Sequence, residues 1–191
     1  MLTLLSKKDP QKSKRTILRT MTLSLLVLLL AALPKRATAG ASEYAVKAAY
    51  LFNFTQFVQW PKGALADGAP LVIGIAGDDP FGSDLDDAVK GKSAGGHPLE
   101  VKRFGSGKVG KCQVLFIAFS EKSRVKEILQ SAGKGVLTVS EIEQFPLKGG
   151  IIQFDQEGQK IVLTLNAAAA KKGGLTISSQ LLQVAKLYGG E

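Results

Sequence analysis

The sequence is poor in the residues from which most catalytic and metal sites are built, with one cysteine, one histidine and one tryptophan among 191 residues. Cys112 alone excludes an intrachain disulfide and any cluster of cysteine ligands. His97 alone excludes a multi-histidine metal site within one chain. No Gly-x-Ser-x-Gly elbow offers a serine nucleophile. Hydrophobic runs are scarce as well: the longest, residues 21–33, is short of the roughly 20 residues that a membrane-crossing helix needs. Finally, the basic excess of 25 Lys+Arg over 16 Asp+Glu is missing from the part expected to fold. Residues 1–39 hold eight of the basic residues and only one acid, Asp9, which leaves 17 basic and 15 acidic residues for 40–191. A net charge of about +2 leaves little electrostatic case for nucleic acid.

What is present begins with a three-part N-terminal pattern. Lys7, Lys8, Lys12, Lys14, Arg15 and Arg19 precede the apolar run, and Ala37-Thr38-Ala39 follows it with small residues where a signal peptidase reads. Residues 1–39 are therefore expected to be a secretory signal cleaved after Ala39, leaving a soluble exported protein that starts near Gly40. An uncleaved interfacial anchor is the competing reading. The remainder, 40–191, suits one domain, large enough to bury roughly 68–70 % of the surface its unfolded chain exposes.

Within that domain, Val46, Tyr50, Phe54 and Phe57/Val58 recur at helical spacing, and Glu43 and Lys47 stand one turn apart. The helix is expected over 43–60 and ends at Pro61. Residues 71–76 form a β-branched and aliphatic run, followed by the turn Gly77-Asp78-Asp79-Pro80 and a helix carrying Phe81, Leu85 and Val89. Residues 91–96 read as an exposed loop and 99–104 as a strand. The unbroken apolar run 114–119 predicts a strand covered on both faces. A helix with Val125, Ile128 and Leu129 follows, with Gly133 at its C-terminal cap, then a strand over 136–140. Residues 151–154 and 160–165, joined through 155–158, predict a hairpin at a sheet edge. Ser178 or Ser179 caps a last helix containing Leu181, Leu182, Ala185 and Tyr188. The expected fold is a single-domain α/β sandwich of helix, sheet and helix layers, with a mixed sheet and a C-terminal edge hairpin.

Several motifs invite chemistry and are better explained without it. Residues 105–112 fit the first seven positions of a phosphate-binding loop, but Cys112 replaces the Ser/Thr that holds magnesium and a strand follows instead of a helix. A flexible basic turn accounts for the segment. Asp78, Asp79, Asp84, Asp86 and Asp87 crowd one turn and helix start, where acids favour the helix dipole and stay solvated; their spacing does not match a calcium loop. Nothing places His97 beside Cys112, which reads as a buried thiol. No catalytic residue, cofactor or metal ligand is assigned. The strongest feature is aromatic: Tyr50, Phe52, Phe54, Phe57 and Trp60 fall within 11 positions. Core packing explains most of this group, and a side left for a partner is the other reading. Tyr50, Asn53, Phe57 and Trp60 are the candidate partner- or ligand-binding residues.

The segment Glu43-Tyr44-Ala45-Val46-Lys47-Ala48-Ala49-Tyr50-Leu51-Phe52-Asn53-Phe54, with Phe57-Val58 and Trp60-Pro61, resembles the opening helix of the YfiR family of bacterial periplasmic regulators. Asn166, Ala169, Gly173-Gly174-Leu175 and Ile177-Ser178-Ser179-Gln180-Leu181-Leu182 with Ala185 are similar to that family's closing segment, and Ile73-Gly74-Ile75 with Asp79-Pro80-Phe81-Gly82 to its first strand and turn. The resemblance implies a non-enzymatic periplasmic repressor that binds the periplasmic domain of an inner-membrane diguanylate cyclase, lowers cyclic di-GMP and limits biofilm formation. It also implies a homodimer and, as a further partner, an outer-membrane peptidoglycan-binding lipoprotein that sequesters the repressor. Some members carry paired cysteines that link redox state to control; with Cys112 alone that internal switch is unavailable here, unless two chains join through it. A periplasmic small-molecule or peptide sensor signalling to another membrane receptor is the alternative, which an apolar pocket near Tyr50 or Trp60 would favour.

Overall fold

The computed structural model describes residues 42–189. The expected signal segment and its cleavage point lie outside the described residues. The first helix, α1 (Glu43–Phe57), starts where the Ser42 side chain accepts a hydrogen bond from the Ala45 N–H at 3.0 Å. It buries one face, Lys47, Ala48, Leu51, Phe54 and Thr55, and leaves Ala49, Asn53 and Gln56 exposed. It stops three residues before Trp60. The chain there becomes β1 (Val58–Gln59), paired antiparallel with Thr176–Ile177 near the C-terminus, so the sheet ladder satisfies backbone groups that the helix would have used.

The central sheet is built from β2 (Leu71–Ala76), β3 (Ser93–Ala94), β4 (His97–Gly105), β5 (Val114–Ile117), β6 (Leu137–Ser140), β7 (Ile152–Glu157), β8 (Lys160–Leu165) and β10 (Lys186–Leu187). Their spatial order is β10-β8-β7-β6-β5-β2-β4-β3. Strands β4, β2, β5, β6 and β7 are mutually parallel, while β8 and β3 run antiparallel to their neighbours β7 and β4. From β2 the chain steps outward to β4, and from β5 it steps the other way to β6. Right-handed crossovers then force the connecting helices onto opposite faces. Leu85 and Val89 of α2 (Ser83–Val89) accordingly join the cluster that contains α1, Ile73, Ile75 and Phe116, whereas Val125 and Ile128 of α3 (Val125–Ala132) pack on the other face with Val72, Leu115 and Ile117. The expected helix, sheet and helix layers are present.

The apolar run 114–119 is a strand only to Ile117; residues Phe119–Arg124 form a 3-10 turn. Within 91–96, read above as loop, Ser93 and Ala94 pair with Pro98 and His97 around Gly95 and Gly96, both with positive φ. Two such residues make the tight turn whose twist suits a hairpin. The larger hairpin is longer than expected, pairing as far as Glu157 with Lys160 around Gly158-Gln159, and β10 lies along its outer side, parallel to β8 at Thr164 and Leu165. A short helix, α4 (Ala167–Lys172), is capped by Asn166, and β9 (Thr176–Ile177) follows it. The last helix, α5 (Ser179–Val184), has the expected Ser178 cap but ends at Val184, because Ala185 is already extended and leads into β10.

Candidate binding surface

In a doubly wound sheet the natural ligand crevice lies beyond the carboxyl ends of the strands where the winding reverses, here between β2 and β5. That crevice is filled. The Asp78 N–H donates to the Ser120 hydroxyl at 2.9 Å, and a Cβ on Gly77 would overlap Ser120 and stand 2.7 Å from Cγ of Glu121. Glu121 is itself buried, its carboxylate held by Arg124 at 3.0 Å, and Arg124 also donates to the Ser106 carbonyl. An open groove of about 580 Å³ lies to one side, past the ends of β5 to β7, bordered by Glu43, Lys47, Phe119, Glu141, Glu143, Asp155 and Glu157. Its one basic residue, Lys47, is buried and clamped by Glu43 at 2.5 Å and Glu141 at 2.6 Å. Burial pulls the Lys47 ammonium toward a lower pKa, but the hydrogen bonds to Glu141 and Glu43 outweigh it and hold the value above the ordinary lysine range. Tyr44 donates its hydroxyl to Glu141, and burial together with that carboxylate raises the phenol's pKa.

The four candidate residues do not form one site. Tyr50 borders a second groove of about 590 Å³ with Glu43, Val46, Gln156, Gln159, Lys160 and Ile161, and its ring packs against Phe54 and Phe154. Trp60 lies toward the other end of the sheet, half-buried, with Nε1 donating to the Gln113 carbonyl at 3.2 Å. It borders a hollow of about 320 Å³ whose apolar wall includes Val58, Leu65, Leu71 and Ala94. Phe57 packs against the core and its carbonyl accepts from the Ser178 N–H. Asn53 is exposed on α1 between these positions.

The other sequence candidates have local partners. Arg103 binds Asp79 and Asp86, each at 2.6 Å, and the Gly82 carbonyl at 2.8 Å, which raises the guanidinium pKa and ties the aspartate turn to β4. Asp84 accepts from Ser42 at 2.8 Å. His97 Nδ1 donates to the Ala69 carbonyl and borders the Trp60 hollow, while Cys112 is buried on the α3 face beside Gly74, so the two do not meet. Burial pushes the Cys112 thiol up to about 12. Sequence reasoning missed Phe119, 56 % exposed at the groove, because it extends an apolar run that reads as buried. It also missed the Lys47–Glu141 pair, which joins residues 94 positions apart.

Among the described residues no helix is long and apolar enough to cross a membrane. Comparison with curated proteins finds no match. The family model described as YfiR/HmsC-like, by contrast, aligns with residues 44–186, from the first turn of α1 to the start of β10, and on that extent the chain belongs to the YfiR/HmsC-like family, whose theme is regulation rather than catalysis.

Proposed function

We propose that this protein is a periplasmic repressor that binds the periplasmic domain of an inner-membrane diguanylate cyclase and lowers cyclic di-GMP output, limiting biofilm formation. The observation that carries the reading is the family match across 44–186. A filled crevice at the winding reversal agrees with a molecule that works through its surface. Such a regulator needs only a stable domain and a surface whose affinity differs between the cyclase's two conformations, since a ligand shifts an equilibrium by its differential binding. In this proposal residues 1–39 direct export and are removed, the mature chain from about Gly40 acts as a homodimer, and an outer-membrane peptidoglycan-binding lipoprotein sequesters it. Tyr50 and Asn53, on the accessible part of α1, are the contact residues to test first. Deletion should raise cyclic di-GMP, and the exported protein should retain the cyclase's periplasmic domain in a pull-down. An unchanged nucleotide level with no retention would remove the proposal.

One observation favours a second reading, a sensor of a small molecule or peptide. The Trp60 hollow is walled mainly by apolar side chains, the arrangement common to small-molecule sites. Ligand-dependent quenching of the single tryptophan, abolished by Leu65→Phe occlusion of the hollow, would support the sensor; cyclase binding indifferent to every ligand tried would favour the repressor alone.

A further inference from the structure

The end of the sheet opposite the acidic groove carries the opposite charge. Pro61 is its hub: a Cβ on Gly135 would stand 3.6 Å from the Pro61 ring and one on Gly174 3.7 Å, and the Gly135 N–H donates to the Gly173 carbonyl at 2.8 Å. The segments meeting there bring exposed lysines: Lys62 after Pro61, Lys111 from the β4–β5 connection, Lys134 between α3 and β6, and Lys171 and Lys172 at the end of α4. Lys111 and Lys134 border one hollow of about 370 Å³ together with Gly63. Among the described residues none of these five lysines is in an ion pair. Across residues 60–70, 106–113, 131–136 and 171–175 the only acid is Asp67.

Helix C-termini attract cations, which accounts for Lys171 and Lys172 and in part for Lys134, but not for Lys62 and Lys111. Protein interfaces are depleted in lysine and centre on aromatic or other anchors. The exposed large apolar side chains among the described residues, Phe119, Leu147, Val184, Leu187 and Tyr188, all lie on other segments. Trp60 and Leu65, on the same segment as Lys62, are half-buried around a hollow, so the groups that stand out from this end are unpaired ammonium groups, which suit a diffuse negative surface. We propose that this end of the domain docks on the anionic phospholipid headgroups of a bilayer, with the acidic groove turned away from the membrane. Near such a surface each lysine strengthens binding by about fivefold, and salt screens the attraction.

The test uses the protein in its exported form, its N-terminus defined by intact mass, sedimented with vesicles rich in phosphatidylglycerol or made of phosphatidylcholine alone. Binding is expected on the former only and should vanish at high salt. Replacing Lys62, Lys111 and Lys134 together by Gln should weaken it about 100-fold without moving the thermal midpoint, while Lys160→Gln at the hairpin tip should leave it intact. Wild type and variants share any contribution from the N-terminal segment, so their ratio reports these lysines. No preference for phosphatidylglycerol, or a triple variant that binds like wild type, overturns the proposal. So does a triple variant that loses the cyclase domain in lipid-free solution while its vesicle binding is unchanged, because the face is then a protein interface. The vesicle result needs no cyclase, so its failure is separable from failure of the repressor reading.

Discussion

At the carboxyl end of the parallel strands the prominent cations are each held by carboxylates: Lys47 by Glu43 and Glu141, Arg103 by Asp79 and Asp86, Arg124 by Glu121 and Glu127. At the amino end Lys62, Lys111 and Lys134 hold nothing that the structure describes. Charge at the first end fastens α1 and the aspartate turn to the sheet and braces the 3-10 turn against the helix that follows it, and these are contacts whose loss disturbs the fold. Charge at the second end has no such duty. A net charge of about +2, read from composition, averages the two and conceals both.

The comparison is broken most severely by parallel substitutions. Lys47→Met should cost about 3 kcal/mol, because it strands the Glu141 carboxylate, 18 % exposed, and removes a buried, paired cation, while Glu43 stays solvated; Lys134→Met should stay within about 0.5 kcal/mol. Urea melts of the two variants measure both, and equal losses would erase the distinction. Gly77→Ala should cost about 2 kcal/mol, since the φ of +88° and the proximity of Ser120 and Glu121 leave no room for a methyl group; a normal melt would show that the plug at the winding reversal yields easily.

Burial of Cys112 gives a prediction in pH. Its thiol is raised from 9.0 to about 12 by desolvation, so the folded chain holds the proton while the unfolded chain releases it. The contribution to stability is intact below about pH 9 and falls as pH rises toward 12, by about 1.4 kcal/mol per pH unit. The difference in melting free energy between wild type and Cys112→Ala should therefore shrink with that slope, and a flat difference would place the thiol in contact with solvent. Arg103→Ala falls between the losses expected for Gly77→Ala and Lys134→Met. Its side chain is 39 % exposed, so solvent screening limits the loss to about 1 kcal/mol, even with two aspartates released.

Much of the architecture is legible from residue patterns for a simple reason: β-branched and aliphatic runs at 71–76 and 137–140 are buried on both faces, and Ser178 and Gly133 sit at helix ends as their chemistry favours. Two-residue strands such as β1, β9 and β10 have no periodicity to read, and they are what shorten α1 and α5 relative to expectation. The binding surface is less legible. Tyr50 and Trp60 look like neighbours in sequence, yet ten residues of mostly helical chain span about 15 Å, which puts them on different hollows. Glu141 carries no signal at all for its pairing with Lys47, because only the folded sheet brings residues 94 apart together.

The small strand β10 has a practical consequence. It covers Thr164 and Leu165 at the outer margin of the sheet, where an uncovered ladder would be free to recruit a stranger's backbone. Trimming the chain ahead of Lys186, or fusing a tag that pulls this segment away, should turn a domain that refolds cleanly into one that clumps during refolding.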